Sequence, residues 1–200
     1  MIRLPRPSFA ATTPARLEGG QVFLRLPQAG EWAGWAELRA LSRDFLVPWE
    51  PSWPADALTE AAYLRRVRRL ATEWKVDDGY SFHIFRREDG RLVGGIGLTQ
   101  VRRGVAQTGT LGYWIGEPFQ GRGFTTEAVR LVANFAFNTL HLHRVEAACL
   151  PENVPSRRVL EKAHFVREGY ARRYLQIAGE WRDHLTFALL KEDLESPPTG

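Results

Sequence analysis

The chain predicts a mixed α/β (α+β) fold: one mostly antiparallel central sheet with helices on both faces. Three observations carry this. Apolar runs between residues 80 and 116 are separated by turn signals, as successive antiparallel strands require. After Gly123, residues Val129, Val132, Ala133, Ala136, Phe137 and Leu140 fall at i, i+3, i+4, i+7, i+8 and i+11, one apolar stripe at helical period. Helical segments also precede the strands and recur after them, so both faces of a sheet can be covered.

Residues 22–26 alternate and read as a strand. Residues 31–41 and 57–74 read as helices, the second with Tyr63, Val67, Leu70, Ala71 and Trp74 on one face. Its Arg65, Arg66, Arg68 and Arg69 lie elsewhere, either as a solvated face or as a contact for RNA or an acidic partner. Strands at 80–87 and 92–100 flank Glu88-Asp89-Gly90-Arg91, a hairpin signal. A turn near Arg102-Arg103-Gly104 leads into a strand at 110–116. Beyond the periodic helix, residues 143–150 read as a strand and 155–163 as a short helix; Pro155 suits a first helical turn, where its missing N–H costs nothing. Residues 165–177 and 181–190 close the chain as a last hairpin.

Two hundred residues, 44% hydrophobic and 25% charged, suit one globular domain, expected over 20–192. Residues 1–19, rich in Pro and Gly with three arginines, read as a flexible extension rather than a secretory signal, since no apolar core is present; residues 193–200 read as a loose tail. No apolar run approaches membrane-span length. The single Cys149 excludes an internal disulfide, points to a reducing cytoplasm and reads as core packing. The net charge of +4 fits an anionic ligand without implying direct nucleic-acid binding. The histidines at 83, 141, 143, 164 and 184 complete no metal-ligand pattern, so no metal is expected.

The most informative segment is Gln120-Gly121-Arg122-Gly123-Phe124-Thr125, a glycine turn between a strand and a helix. A helix N-terminus presents unpaired N–H groups and the positive end of the helix dipole. Gly121 and Gly123 let that backbone approach an anion closely, as a pyrophosphate site needs. No Lys follows the glycines as a Walker loop requires, and the third glycine and early position of a dinucleotide fingerprint are missing.

Gln-x-x-Gly-x-Thr resembles the acyl-CoA loop of the GCN5-related N-acetyltransferase (GNAT) superfamily. Asn153-Val-Pro-Ser156 with its continuation to Phe165 is similar to the ribosomal-protein-alanine N-acetyltransferase branch (RimJ/RimL type). Residues 45–51, residues 168–171 and Gly179-Glu-Trp-Arg-Asp-His184 resemble its RimJ side. The resemblance spans about residues 16 to 191. It implies the GNAT fold and acetyl-CoA as co-substrate; the sequence leaves monomer or homodimer open. Its implied acceptor is an amine, above all the N-terminal α-amine of a ribosomal or other basic protein. A small amine such as a polyamine, amino sugar or amino acid is the alternative, and a non-catalytic acyl-CoA-binding protein a third reading.

The resemblance also implies roles. Backbone amides at Trp114, Ile115 and Gly116 would face pantetheine and thioester, and those from Phe119 through Thr125 the pyrophosphate. Asn153 would bond the pantetheine arm, and Arg122, Arg157 or Arg158 a phosphate. Ser156 would donate to the leaving thiolate or, alternatively, only cap its helix. The residue one turn later, a tyrosine in many relatives, is Leu160 here. Glu50, Glu146 and Asp183 are the candidate bases; a glutamate proposed as base on the RimL side falls on Leu175, so that role does not carry over. Trp49, Glu50, Tyr113 and Trp181 would border the acceptor, the segment 48–54 being either an acceptor wall or a lid on the core.

Overall fold

The computed structural model describes residues 16–195. Its strands are β1 (Arg16–Glu18), β2 (Val22–Arg25), β3 (Tyr80–Arg86), β4 (Leu92–Arg102), β5 (Thr108–Ile115), β6 (Arg144–Cys149), β7 (Val166–Ile177) and β8 (Glu180–Leu190). They form one sheet in the order β1-β2-β3-β4-β5-β6-β8-β7. Every pairing is antiparallel except β5 with β6. The helices are α1 (Trp32–Leu41), α2 (Arg43–Leu46), α3 (Glu60–Lys75), α4 (Phe124–Asn138), α5 (Val154–Lys162) and α6 (Lys191–Glu195).

Helices cover both faces. Adjacent strand residues point to opposite sides, so Phe82 and His83 mark the two layers. Phe82 meets Phe135 of α4 at 5.6 Å, ring to ring, whereas His83 meets Tyr63 of α3 at 6.3 Å. Trp35 of α1 packs on the same Tyr63 at 5.0 Å. The stripe predicted for α4 is the centre of the core: Val129, Val132, Ala136, Phe137 and the following Leu140 are fully buried. Each large member stabilises the fold by about 1.5–3 kcal/mol through apolar area removed from water.

Four details depart from expectation. The supposedly flexible first 19 residues contain β1, which pairs with β2 through Leu17 and Leu24. Its turn is tied down because the Glu127 carboxylate of α4 accepts from the N–H groups of Gly20 and Gln21. Residues 1–15 and 196–200, the remainder of the two expected loose ends, lie outside the described residues. The tail expected from residue 193 starts inside α6, where Asp193 accepts from the Leu190 N–H at 2.8 Å. The helix expected from residue 57 starts at Glu60, because Thr59 caps it by accepting from Ala62 N. The short α2 was not legible: four residues carry too little periodicity to be read.

The feature that positions the site is the β5–β6 pair. Its parallel ladder runs from Thr108 opposite Arg144 to Leu111 opposite Ala147 and stops. Yet β5 continues to Ile115 and β6 to Cys149. The two strands therefore part, leaving backbone groups on their facing edges without a partner strand. Gly112, the first residue past the last rung, is exposed in mid-sheet, and a Cβ built there would meet nothing within 4 Å.

Candidate active site

β5 ends beside this opening and passes through Gly116 and a 3-10 turn (Glu117–Phe119) into the glycine loop. Ser42 Oγ anchors the turn by accepting from Glu117 N at 2.9 Å. Gly121 and Gly123 have φ of 72° and 83°, a left-handed backbone that side-chain-bearing residues adopt only at a cost. Gly123 is the N-cap of α4, and no side chain caps that end. The nearby acid Glu127 is turned away to the β1–β2 turn. The first N–H groups of a fifteen-residue helix thus face outward next to the strand opening, which is the chemistry of a phosphate cradle. Phe119 and Phe124 are buried and hold the loop on the core, Thr125 is half-buried, and Gln120 and Arg122 are exposed.

Across the opening stands α5. Asn153 is its N-cap: the side-chain oxygen accepts from Ser156 N at 3.0 Å. The alternative in which Ser156 caps the helix is therefore overturned; the cap is three residues earlier, and the serine hydroxyl is free for other contacts. Ser156 Oγ lies 2.9 Å from the Tyr113 hydroxyl, which also reaches the Ser156 carbonyl at 3.2 Å. Burial pushes the Tyr113 phenol well above its ordinary pKa. Cys149, at the end of β6, lies beside the same serine, and burial raises its thiol pKa while the Ser156 contact opposes that. Tyr113 had been expected to border the acceptor with Trp49 and Glu50. Strand alternation instead sends it to the Ser156 side and its neighbour Trp114 to the opposite face.

That opposite face carries a side-chain clamp. The Arg39 guanidinium of α1 donates to both oxygens of Glu50 at 2.8 and 2.6 Å, and Trp53 Nε1 donates to the same carboxylate at 2.8 Å. Arg39 also stacks between the rings of Trp53 and Trp114, 4.2 and 4.8 Å from their centroids. The Trp114 indole lies so close over β4 that a Cβ on Gly95 would come within 2.4 Å of its Nε1. Ala178, in the β7–β8 turn, donates its N–H to the Glu50 carbonyl at 2.9 Å. The segment 48–54 is thereby fixed between α1, β5 and the last hairpin, with Trp49 half-buried.

The three candidate bases are brought to different places and all are engaged. Glu50 is held in the clamp. Glu146 pairs with Arg144 at 2.9 Å and Arg102 at 3.3 Å, at the start of β6 rather than at its open end. Asp183 accepts from the Tyr170 hydroxyl at 2.6 Å and from Arg173 N at 2.7 Å, where β7 bulges; these bonds, the tyrosine's first, lower its pKa. Trp181 is 62% exposed and lines a shallow pocket with Tyr170, Arg173 and Asp183. Arg158 is exposed on α5, and Arg157 lies 3.7 Å from Glu161. Two histidines considered only as metal ligands are core residues. His83 pairs with Glu31 at 2.7 Å, and His184 Nδ1 sits 3.0 Å from the Arg182 carbonyl. The available signal for His83 was its place in a run with apolar residues on both faces, Phe82, Ile84 and Phe85. Among the described residues no helix is long and apolar enough to cross a membrane.

The family described as acetyltransferase (GNAT) domain matches residues 21–166. The probable N-acetyltransferase YjcK of Bacillus subtilis (strain 168) is 37% identical over 90% of this chain and 99% of its own length. The [ribosomal protein uS5]-alanine N-acetyltransferase of Escherichia coli (strain K12) is 32% identical over 89% of this chain and 92% of its own. Among solved structures, Mycobacterium smegmatis RimJ in complex with CoA-disulfide superposes with a TM-score of 0.80 at 33% identity, covering 89% of this chain and 85% of that one. The ribosomal-protein-S5-alanine acetyltransferase from Vibrio fischeri gives 0.83 at 27% identity, covering 90% and 98%.

Proposed function

We propose that this chain, which belongs to the GNAT acetyltransferase family and is an N-acetyltransferase of the RimJ type, moves the acetyl group of acetyl-CoA to the N-terminal α-amine of a protein. The observation that carries the reading is the parting of β5 and β6 beside an uncapped α4 N-terminus. An acyl-CoA needs both: unpaired strand edges for the amides of its pantetheine arm, and helix N–H groups for its pyrophosphate. Not all of the expected amides are available: the Gly116 N–H donates to the Val93 carbonyl, and those of Phe119 and Gln120 donate to the Gly116 and Glu117 carbonyls inside the 3-10 turn. Backbone at Ile115 therefore serves the arm and thioester, and backbone from Gly121 to Thr125 serves the pyrophosphate. Asn153 offers its side-chain N–H₂ to the arm while its oxygen caps α5. Arg122 and Arg158 are the cations nearest in role to the phosphates.

In the reaction the amine nitrogen bonds to the thioester carbon, the C–S bond breaks, and its electron pair goes to sulfur. Ser156 Oγ, free of any capping duty, donates a proton to that sulfur. The amine's surplus proton leaves to water. All three candidate carboxylates are tied into bonds within the protein, which favours an acceptor that needs little help. An α-amine with a pKa of about 7.7–8.0 is partly neutral near pH 7, whereas a lysine amine at about 10.4 is not. This is why we read the acceptor as an N-terminus, in line with the E. coli relative, a ribosomal protein uS5-alanine N-acetyltransferase. The surface beyond the Arg39–Glu50 clamp, between Trp49 and the β7–β8 hairpin with Trp181, is the acceptor's place in this account. The cytoplasm is its expected location.

A thiol-release assay with acetyl-CoA tests the proposal on two acceptor sets: peptides with Ala, Ser or Met N-termini, and free polyamines and amino sugars. Turnover on peptides that disappears when the α-amine is blocked is the expected result. Turnover on the small amines alone overturns it.

A further inference from the structure

We infer that Tyr113 is a positioning residue for acyl transfer: its hydroxyl donates to Ser156 Oγ and so directs the serine's own proton into the strand opening. This rests on the reading of Ser156 as donor to the departing thiolate.

The two hydroxyls are 2.9 Å apart, and each has one proton. If Tyr113 donates to the Ser156 carbonyl at 3.2 Å, Ser156 can spend its own proton on the phenol oxygen, where it is lost to the substrate. If Tyr113 donates to Oγ, the shorter contact, the serine proton turns away from the phenol, and the weakly accepting Cys149 thiol beside it competes with a substrate sulfur for that proton. Ser156 is fixed from behind by the Asn153 cap, which holds its backbone N–H at 3.0 Å. Tyr113 is fixed in β5, opposite Ile96 of β4, two residues past the last rung shared with β6. Both hydroxyls therefore sit at the mouth of the opening on rigid elements. Burial keeps the phenol protonated across the working pH range, so it remains a donor.

The chemistry balances without a further reactant. As the C–S bond breaks, sulfur takes up the electron pair and draws on the Ser156 O–H. The charge that develops on Oγ is met by the Tyr113 O–H, two hydrogen bonds in series that polarise one another. Solvent then restores the serine proton, and the amine's proton has already left to water. Phenylalanine would fill the same space in β5 but would leave Oγ without the donor that orients its proton and meets its developing charge.

The test is a double-mutant cycle of Tyr113→Phe and Ser156→Ala, read as kcat and KM with acetyl-CoA and the fastest acceptor of the assay above. Thermal melting confirms that each variant is folded. Ser156→Ala is expected to lower kcat about 10²-fold. Tyr113→Phe is expected to lower it by about five- to tenfold, the effect of one hydrogen bond, with the KM for acetyl-CoA unchanged. In the double variant the tyrosine change should cost nothing more, since its target is gone. If Tyr113→Phe leaves kcat unchanged while Ser156→Ala lowers it, the inference is wrong and the serine role stands. Equal fractional losses in both backgrounds also overturn it, since Tyr113 then acts independently of the serine. If Ser156→Ala is without effect, the serine reading fails and takes this inference with it.

Discussion

The two sides of the strand opening are built from different materials. The side that the proposed function gives to the acetyl donor is mostly backbone: the unpaired edges of β5 and β6, the left-handed turn at Gly121 and Gly123, and the bare N-terminus of α4. The side it gives to the acceptor is mostly side chain: Arg39, Glu50, Trp53 and Trp114 locked in one clamp, and Asp183 pinning the β7 bulge through Tyr170 and Arg173. A backbone site depends on a few special conformations and tolerates most side-chain change around them. A side-chain site depends on many partners at once, and changing one of them frees the others. Donor and acceptor functions should therefore fail in different ways when mutated.

The largest effect is expected on the donor side. Gly123→Val places a β-branched residue at φ 83°, a conformation costing about 1–3 kcal/mol for a residue other than glycine. The loop should relieve that strain by abandoning the cradle. CoA binding, measured by calorimetry, should weaken by about ten- to a hundredfold, with the circular dichroism of the fold retained. Unchanged affinity would remove the loop from the donor site.

Arg39→Ala attacks the clamp. It leaves a half-buried Glu50 carboxylate without its bidentate partner and two indoles without the cation between them. Stability should fall by about 2 kcal/mol, as for loss of charge-assisted hydrogen bonds, read by denaturant unfolding. The KM for the acceptor should rise while the KM for acetyl-CoA stays put. A rise in the acetyl-CoA KM alone would erase the division between the two sides.

Asp183→Asn sharpens the assignment of bases. A carboxylate whose bonds go to Tyr170 and Arg173 N is a structural pin, so kcat should change by less than about threefold. A general base would show roughly a 10²- to 10⁴-fold loss.

The smallest effect concerns the core beneath the acceptor side. Burial lowers the pKa of His83, with Glu31 acting against it. The unfolded chain takes up a proton near pH 6.5 and the native chain does not, so stability is full above that value and declines as the pH falls below it. The melting temperature of the wild type should drop between pH 7.5 and 5.5, and His83→Gln should flatten that slope. A wild-type melting temperature that rises on acidification would reverse the sign.

The same contrast explains what could be read from the sequence. Glycines at a strand–helix junction and a helical stripe after them are local signals, so the left-handed turn at Gly121 and Gly123 and the helix behind it were legible from the sequence. The capping role of Asn153 was not, because Asn and Ser at that spacing both make good caps and only the geometry decides between them. The clamp was hidden for a different reason. Arg39 and Glu50 lie on either side of α2, Trp114 comes from a strand far along the chain, and no periodicity links them. The contact of Tyr113 with Ser156 was not legible because the facing of β5 depends on its register with β4, which one sequence does not specify.

The most direct test of the account is site-resolved acetylation of a single peptide that offers both a free alanine N-terminus and an internal lysine. The peptide is incubated with the protein and acetyl-CoA near pH 7 and sequenced by tandem mass spectrometry. The account predicts one acetyl group, on the α-amine, with the lysine untouched. Acetyl on the lysine, or on both amines at similar rates, would contradict it.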